Sequence, residues 1–331
     1  MLRQIAHIAL YVAFGSLVAA CSSSGGSAPN PPNPGPVLSA TFTSGITTNA
    51  SLYDAVSGPD GRIWFTEFSA DNLAAVTTSG TVTEYPTGAL TQPNGIAVGP
   101  DGNLWTGGFG ASIEKVTTSG SVTTYAVAGA HVGDIVSGPG GLLWFTDYGN
   151  KEIGTISTTG TVHEYVLPGG SDPSGIAVGA DGNLWVTDSG NNAILKVSPA
   201  GSVLASYPST VSTGESLEYI VAAPDGNLYF TVYEDNASTN DVVGRITTGG
   251  TVTKAGMIAP LSYPNRIIVG KDGNLYFTEY ATAKLGKVTL ATGTVSESSP
   301  GIASYGNSAI AAGSDGRLWV GGTQTIWALS Y

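Results

Sequence analysis

Acidic side chains recur at one position of a repeated pattern, where a short β-rich run ends. Asp172 and Asp188 lie 16 residues apart, and Asp147 and Glu279 hold the Asp188 position in other repeats. Carboxylate oxygens are the ligands that Mg²⁺ and Ca²⁺ prefer in proteins. The pattern therefore predicts a divalent cation, Mg²⁺ or Ca²⁺, bound by these residues. The alternative is that each acid accepts hydrogen bonds from nearby backbone N–H groups.

A second set of polar residues comes just before the apolar run that opens a repeat. These candidate ligand-binding residues are Asp54, Asp134, Glu218 and Arg266. Arg266 either binds an acidic ligand or forms an ion pair with Glu218. A neutral histidine can act as a base near pH 7, and His131 lies in the loop GAHVGD that leads into a repeat. His131 is therefore a candidate catalytic base or ligand, with a plain polar loop residue as the alternative.

The elements that must position these residues are repeats of about 42 residues. Each contains four β-rich runs of 4–7 residues, separated by turn signals and without helical periodicity. Asp-Gly, a favoured tight turn, marks six repeats, and Gly140-Gly141 fills the gap between the second and third pairs. The pairs are Asp60-Gly61, Asp101-Gly102, Asp181-Gly182, Asp225-Gly226, Asp272-Gly273 and Asp315-Gly316. Seven units of four strands predict an all-β fold, a seven-bladed β-propeller.

The two ends of the repeat region predict how the ring closes. The C-terminal runs 317–322 and 325–331 supply the second and third strands of a blade but not a fourth. Residues 37–43, VLSATFT, have the pattern of that missing outer strand, so 37–331 is expected to be one closed domain. In a propeller, loops that enter the inner strand share a face with loops that leave the second strand. The candidate residues above are therefore expected on one face, and the Asp-Gly turns on the other.

An aromatic residue occupies one repeated slot in all seven units. The slot holds Trp64, Trp105, Trp144, Trp185, Tyr229, Tyr276 and Trp319. Such an array could stack against sugars, but its presence in every unit favours packing between blades. We expect these side chains in the core.

The N-terminus has the pattern of a secretory signal. Residues 1–20 contain a single charge, Arg3, followed by an apolar run and small residues. The sequence 18–21, Val-Ala-Ala-Cys, resembles a bacterial lipobox, which would make Cys21 the lipidated N-terminus of the mature protein. Residues 21–36 are rich in Ser, Gly and Pro and have the composition of a tether. The expectation is a lipid-anchored protein of the bacterial cell envelope, at the outer membrane because Ser22 follows the cysteine.

Composition excludes several classes of protein. Lys and Arg number 12 against 24 Asp and Glu, a net charge of −12 without a basic run, which argues against a nucleic-acid partner. A single cysteine excludes an intramolecular disulfide and a cysteine-based zinc site. The partner expected instead is a small molecule, a peptide or an envelope protein, bound by a monomer.

Two units carry a resemblance to a known family. Residues 172–201 and 263–288 contain Pro-x-x-Ile, then Asp-Gly-Asn-Leu-aromatic, then Thr-Glu or Thr-Asp. This pattern is similar to the streptogramin (virginiamycin B) lyase family and to NHL-type repeats. The resemblance implies a propeller that opens a cyclic depsipeptide by elimination. It also implies magnesium, two histidines that each follow a proline in the motif, and two glutamates 16 residues apart.

The chain departs from that family motif at its chemical positions. The histidine position lies two residues before the Ile of the inner strand, and no repeat has histidine there. The second to sixth repeats hold Asn94, Gly133, Ser174, Glu218 and Asn265. In the sixth repeat Tyr263 and Glu279 form only half of an acidic pair. We therefore expect binding without catalysis; the alternatives are a divalent-metal lyase or lactonase using Asp172, Asp188 and His131, or an envelope scaffold.

Overall fold

A computed structural model describes residues 35–211, 216–233, 241–303, 306 and 309–331. These residues form seven four-stranded antiparallel sheets, so the prediction of a seven-bladed β-propeller is confirmed. The predicted signal, lipobox and Cys21 lie outside the described residues, as does all but the end of the tether. Within the part described, no helix is long and apolar enough to span a bilayer.

Blades 1–6 each run from their innermost to their outermost strand in chain order. Blades 1 and 2 comprise β2 (Leu52–Ser57), β3 (Ile63–Glu67), β4 (Asn72–Val76), β5 (Val82–Pro86), β6 (Pro93–Val98), β7 (Leu104–Gly108), β8 (Ser112–Val116) and β9 (Val122–Ala126). Blades 3 and 4 comprise β10 (Val132–Gly138), β11 (Leu142–Asp147), β12 (Glu152–Ile156), β13 (Val162–Val166), β14 (Pro173–Val178), β15 (Leu184–Asp188), β16 (Ala193–Val197) and β17 (Val203–Pro208). Blades 5 and 6 comprise β18 (Ser216–Ala222), β19 (Leu228–Tyr233), β20 (Val242–Ile246), β21 (Val252–Met257), β22 (Pro264–Val269), β23 (Leu275–Glu279), β24 (Leu285–Thr289) and β25 (Thr294–Ser298).

Blade 7 is completed by the strand from the other end of the domain. Strands β26 (Ala309–Ala312), β27 (Leu318–Gly321) and β28 (Ile326–Ser330) are joined by β1 (Val37–Phe42). Strand β1 pairs antiparallel with β28, from Val37 opposite Ser330 to Phe42 opposite Ile326. The predicted closing strand at 37–43 is thus confirmed, one residue shorter than expected.

The repeated aromatic slot lies in the core, as predicted, and all seven side chains are buried. Trp185 shows how the slot is supported on the Asp-Gly face: it stacks on Tyr207 at 5.7 Å, and Lys196 lies 5.1 Å above its ring. Lys196 also pairs with Asp181 at 2.8 Å and donates to the Thr248 carbonyl of the next blade. The Asp-Gly acids therefore stabilise turns and blade contacts.

A β-bulge at the start of the inner strand shapes the channel. In blades 1–6 the pairing of the first two strands shifts by one or more residues at this point. A buried threonine of the second strand secures the bulge. Thr66 accepts from the Asp54 backbone N–H and donates to the Asn94 carbonyl of blade 2, both at 3.0 Å. Thr146 and Thr231 make the same pair of bonds, so neighbouring inner strands are held together at one end of the channel.

Candidate functional site

The centre of the propeller is crossed by an ion cluster. Arg266, from the bulge of blade 6, is 7% exposed. Its two terminal nitrogens lie 2.8 Å from Asp54 Oδ2 in blade 1 and 2.9 Å from Asp134 Oδ1 in blade 3. Its guanidinium stacks on Tyr219 of blade 5, at 3.8 Å from the ring centroid. Four blades thus meet through one arginine, which pairs with Asp54 and Asp134. The charge of Arg266 also lowers the pKa of Glu218, the partner that the sequence suggested.

The two aspartates also join adjacent inner strands. Asp54 Oδ2 accepts from the Ile96 N–H at 2.9 Å, and Asp134 Oδ2 accepts from the Ile176 N–H at 3.1 Å. Glycine precedes both isoleucines. A Cβ on Gly175 would lie 2.8 Å from the Tyr219 Cα, so only glycine permits this approach. The candidates Asp54, Asp134 and Arg266 are therefore parts of one packed unit.

Burial changes how this cluster ionises. Burial raises the pKa of Asp54 to about 7, a shift that Arg266 opposes and Asp134 reinforces. Burial lowers the pKa of Arg266, but Asp54, Tyr219 and Asp134 outweigh it and raise that pKa above its ordinary value. The arginine is therefore charged at any relevant pH.

Glu218 precedes Tyr219 in the bulge of blade 5, at the loop end of the inner strands, which is the mouth of the channel. Burial raises its pKa to about 7; Ser216 lowers it by hydrogen bonding, Asp172 raises it and Arg266 lowers it. Burial likewise raises the pKa of Asp172. Asp172 and Glu218, from blades 4 and 5, are thus close enough for the charge of Asp172 to raise the pKa of Glu218.

The acids that end the second strands have a different role. Asp188 accepts from the Asp172 N–H at 2.8 Å, from the Ser171 hydroxyl at 2.8 Å and from the Asn191 side chain at 2.9 Å. Asp147 accepts from the His131 N–H at 2.9 Å in the same way. Both residues therefore accept hydrogen bonds from backbone N–H groups, as the alternative interpretation of these acids expected. Their carboxylates fix the loops that border the mouth.

The candidate metal ligands do not converge. Over the described ranges, no group of three or more His, Cys, Asp or Glu side chains is placed to hold an ion. Glu279 is fully buried in blade 6, where Thr282 donates to it at 2.7 Å, and burial raises its pKa to about 7. With Tyr263 opposite, the residues of blade 6 do not fit the magnesium pair that the resemblance implies. The predicted binding of Mg²⁺ or Ca²⁺ by Asp172, Asp188, Asp147 and Glu279 stays a prediction.

His131 packs between two aromatic rings at the mouth. Its ring centroid is 5.0 Å from Phe109 and 5.5 Å from Tyr148. His163, by contrast, is exposed on β13, the outer strand of blade 3. His131 thus lies on the predicted face, as part of an aromatic wall.

That aromatic wall was not predicted from the sequence. The residue after the second strand, or ending it in blade 5, is aromatic in five blades: Phe68, Phe109, Tyr148, Tyr233 and Tyr280. Phe68 packs on Tyr53 at 5.4 Å and on Phe109 at 5.9 Å. Tyr53 raises the pKa of Tyr148, Tyr219 and Tyr280, although burial contributes most in each case. Aligning the repeats at this one position would have revealed the aromatic rim. Most of the inserted loop 233–244, residues 234–240, lies outside the described residues.

Comparison with known proteins shows which family the chain resembles. The model of the virginiamycin B lyase family matches residues 40–168 and 170–326. A virginiamycin B lyase of Nocardia farcinica is 29% identical over 123 residues, 37% of this chain and 43% of that relative. The chain thus spans less than half of that relative's length in the match.

Solved structures agree with the sequence comparison. A virginiamycin B lyase of Staphylococcus aureus superposes with a TM-score of 0.77 at 27% identity, covering 86% of this chain and 96% of the other. A catalytically inactive variant of the same enzyme, crystallised with quinupristin, gives a TM-score of 0.77 at 28% identity, with 86% and 97% covered. Because the family model covers most of the propeller, the chain belongs to the virginiamycin B lyase family.

Proposed function

We propose that this protein binds a compact small molecule or peptide at the channel mouth and does not catalyse the elimination of its family. The observation that carries the proposal is Arg266, neutralised by Asp54 and Asp134 on the axis beneath an aromatic rim. This arrangement forms a fixed floor and an apolar wall, as ligand pockets do. We further propose that the domain is held at the bacterial envelope by a lipid on Cys21.

The positions of the family's chemistry support binding over catalysis. Among the bulge residues described, Asn94, Ser174 and Asn265 stand where the resemblance places histidine. Amide and hydroxyl side chains do not take up a proton near pH 7, so they cannot replace an imidazole base. They can donate to and accept from a bound ligand.

A second candidate function rests on Glu218. It occupies the bulge position in blade 5 and has its pKa raised to about 7, which suits a general base. In this alternative its carboxylate removes a proton alpha to a carbonyl. The electron pair of that C–H bond then forms a C=C bond. The bond between the neighbouring carbon and the ester oxygen breaks at the same time, and the acyl group leaves as a carboxylate. Glu218 alone would carry the proton, without the histidines of the family.

One experiment separates the two functions. Quinupristin is incubated with the mature domain, with and without Mg²⁺, and followed by chromatography with mass detection. Elimination converts it to a linear isomer of unchanged mass. The proposal expects no isomer, together with saturable binding by calorimetry. An isomer that forms in the wild type but not in Glu218→Gln would establish the alternative. Glu164→Gln, an exposed change of the same charge, is the control.

A further inference from the structure

The mouth carries more acids than the nearby Arg266 and Lys151 can neutralise. Lys151 donates to the Ser171 carbonyl at 3.2 Å and lowers the pKa of the adjacent Asp172. Arg266 is paired with Asp54 and Asp134. Asp172 and Glu218 add two further carboxyl groups, and Asp172 helps to raise the pKa of both Glu218 and Tyr148. The space between blades 3, 4 and 5 is therefore acidic.

Two residues of the inner-strand bulges hold buried oxygens without a hydrogen-bond partner. Asn94 Oδ1 and Ser174 Oγ are buried without a hydrogen-bond partner, and each residue is 6% exposed. Asp172 Oδ1 is also buried and unpartnered. Both Asn94 and Ser174 occupy the bulge position that Glu218 holds in blade 5. Buried polar groups are normally hydrogen-bonded, so this set of acceptors calls for a donor from outside the chain.

One buried donor of the axis cluster also lacks a hydrogen-bond partner. It is Nε of Arg266. It lies on a guanidinium already stacked on Tyr219 and paired with two carboxylates. The acidic and unpartnered acceptor groups still outnumber it at the mouth.

Aromatic rings lie close to these acids. Tyr148 is 6% exposed and close enough to Asp172 and Tyr53 for both to raise its pKa, after burial. Ring faces attract organic cations, and carboxylates strengthen that attraction. Because the acids come from separate blades instead of converging on a point, they match an organic cation with several N–H donors better than a metal ion. The chain's net charge of −12 favours the approach of such a ligand.

We propose that the mouth binds the protonated amine of its ligand between Asp172 and Glu218, against the rings of Tyr53 and Tyr148. This inference rests on the proposed binding function and names the chemistry of the ligand. The three N–H groups of the ammonium donate to the two carboxylates and to the Ser174 hydroxyl oxygen. The apolar part of the ligand packs on the rim formed by Phe68 and Phe109.

Three probes of the same size test the charge. Benzylammonium, benzyl alcohol and benzoate are titrated into the mature domain and followed by calorimetry and by melting temperature, because a ligand of the native state raises the melting temperature. Benzylammonium is expected to bind at least tenfold more tightly than benzyl alcohol, and benzoate not at all. Glu218→Gln and Asp172→Asn should each weaken benzylammonium fivefold or more and leave benzyl alcohol unchanged. Glu164→Gln, which removes a charge on the outer strand, should leave all three unchanged.

The outcomes that contradict the cation site differ from those that contradict the proposed binding function. Equal binding of benzyl alcohol and benzylammonium overturns the cation site but leaves a ligand-binding mouth. Tighter binding of benzoate assigns the site to Arg266 and overturns the inference. Binding of none of the probes also overturns it, while the quinupristin experiment independently decides the proposed function. If either variant unfolds, the comparison of the three probes on the wild type still decides whether the mouth prefers a cation.

Discussion

Phe42 and Trp319 stack with their ring centroids 5.5 Å apart and their planes 13° from parallel. Phe42 lies in β1 at the start of the domain, and Trp319 lies in β27 near its end. The same contact type joins Trp64 to Tyr85 and Trp105 to Tyr125 inside single blades. The closing strand thus supplies the aromatic partner that blade 7 lacks, and Phe42 also covers Gly80 of blade 1.

Phe42→Ala should therefore weaken the whole ring. We expect a loss of roughly 2–3 kcal/mol in the free energy of unfolding, somewhat below the ~3–5 kcal/mol of a fully buried phenylalanine. Urea denaturation measures it, and Val166→Ala, an exposed change on an outer strand, is the control. Deletion of 37–43 should lower the melting temperature much further. A deletion variant that melts with the wild type would contradict closure by β1.

Arg266→Met tests the axis cluster. The change leaves Asp54 and Asp134 buried without their counter-charge, and removal of one partner of a buried pair costs about 3–5 kcal/mol. A second variant, Arg266→Met with Asp54→Asn, removes one orphaned charge and should regain part of that loss. Chemical denaturation of both variants measures the coupling. Equal stability of the single and double variants would mean that the ion pair with Asp54 contributes nothing.

Features that depend on local sequence pattern could be predicted, whereas contacts between distant blades could not. Repeat spacing predicted the blades, and the unpaired C-terminal strands predicted β1, because both depend on local pattern. The pairing of Arg266 with Asp134 spans 132 residues and exists only once the ring has closed. No local pattern reports it. For Asp147 and Asp188 the sequence left two roles open, and only the loop geometry showed which backbone groups they accept.

Cys21→Ser tests the predicted lipid anchor. Without the cysteine sulfur no lipid can be attached, so the protein should move from the membrane fraction to the soluble envelope fraction. Fractionation and immunoblotting measure the distribution, with Ser22→Ala as a neighbouring control. Membrane association that survives the change would refute lipidation at Cys21.

The buried carboxyl group of Glu67 should make the stability of the protein fall as the pH rises. It is fully buried at the end of β3, and neither carboxyl oxygen has a hydrogen-bond partner. Burial and, next, the nearby Glu84 together raise its pKa from 4.5 to about 8. Glu84 in turn accepts from the Thr47 backbone N–H and, at 2.9 Å, from the Thr47 hydroxyl, in the segment that links β1 to blade 1.

Because the folded state keeps the Glu67 proton that the unfolded chain loses above about pH 4.5, the contribution of Glu67 to stability should be greatest below that pH and fall until about pH 8. The loss is on the order of a few kcal/mol, since each pKa unit corresponds to about 1.4 kcal/mol. Asp54, Glu218 and Glu279, raised to about 7, add losses of the same sign. Glu67→Gln keeps the shape without the charge, so its melting temperature should decline less between pH 5 and pH 8 than that of the wild type. Glu152→Gln is the control for the loss of one acid elsewhere. Parallel pH profiles of Glu67→Gln and the wild type would show that Glu67 is already ionised in the folded protein.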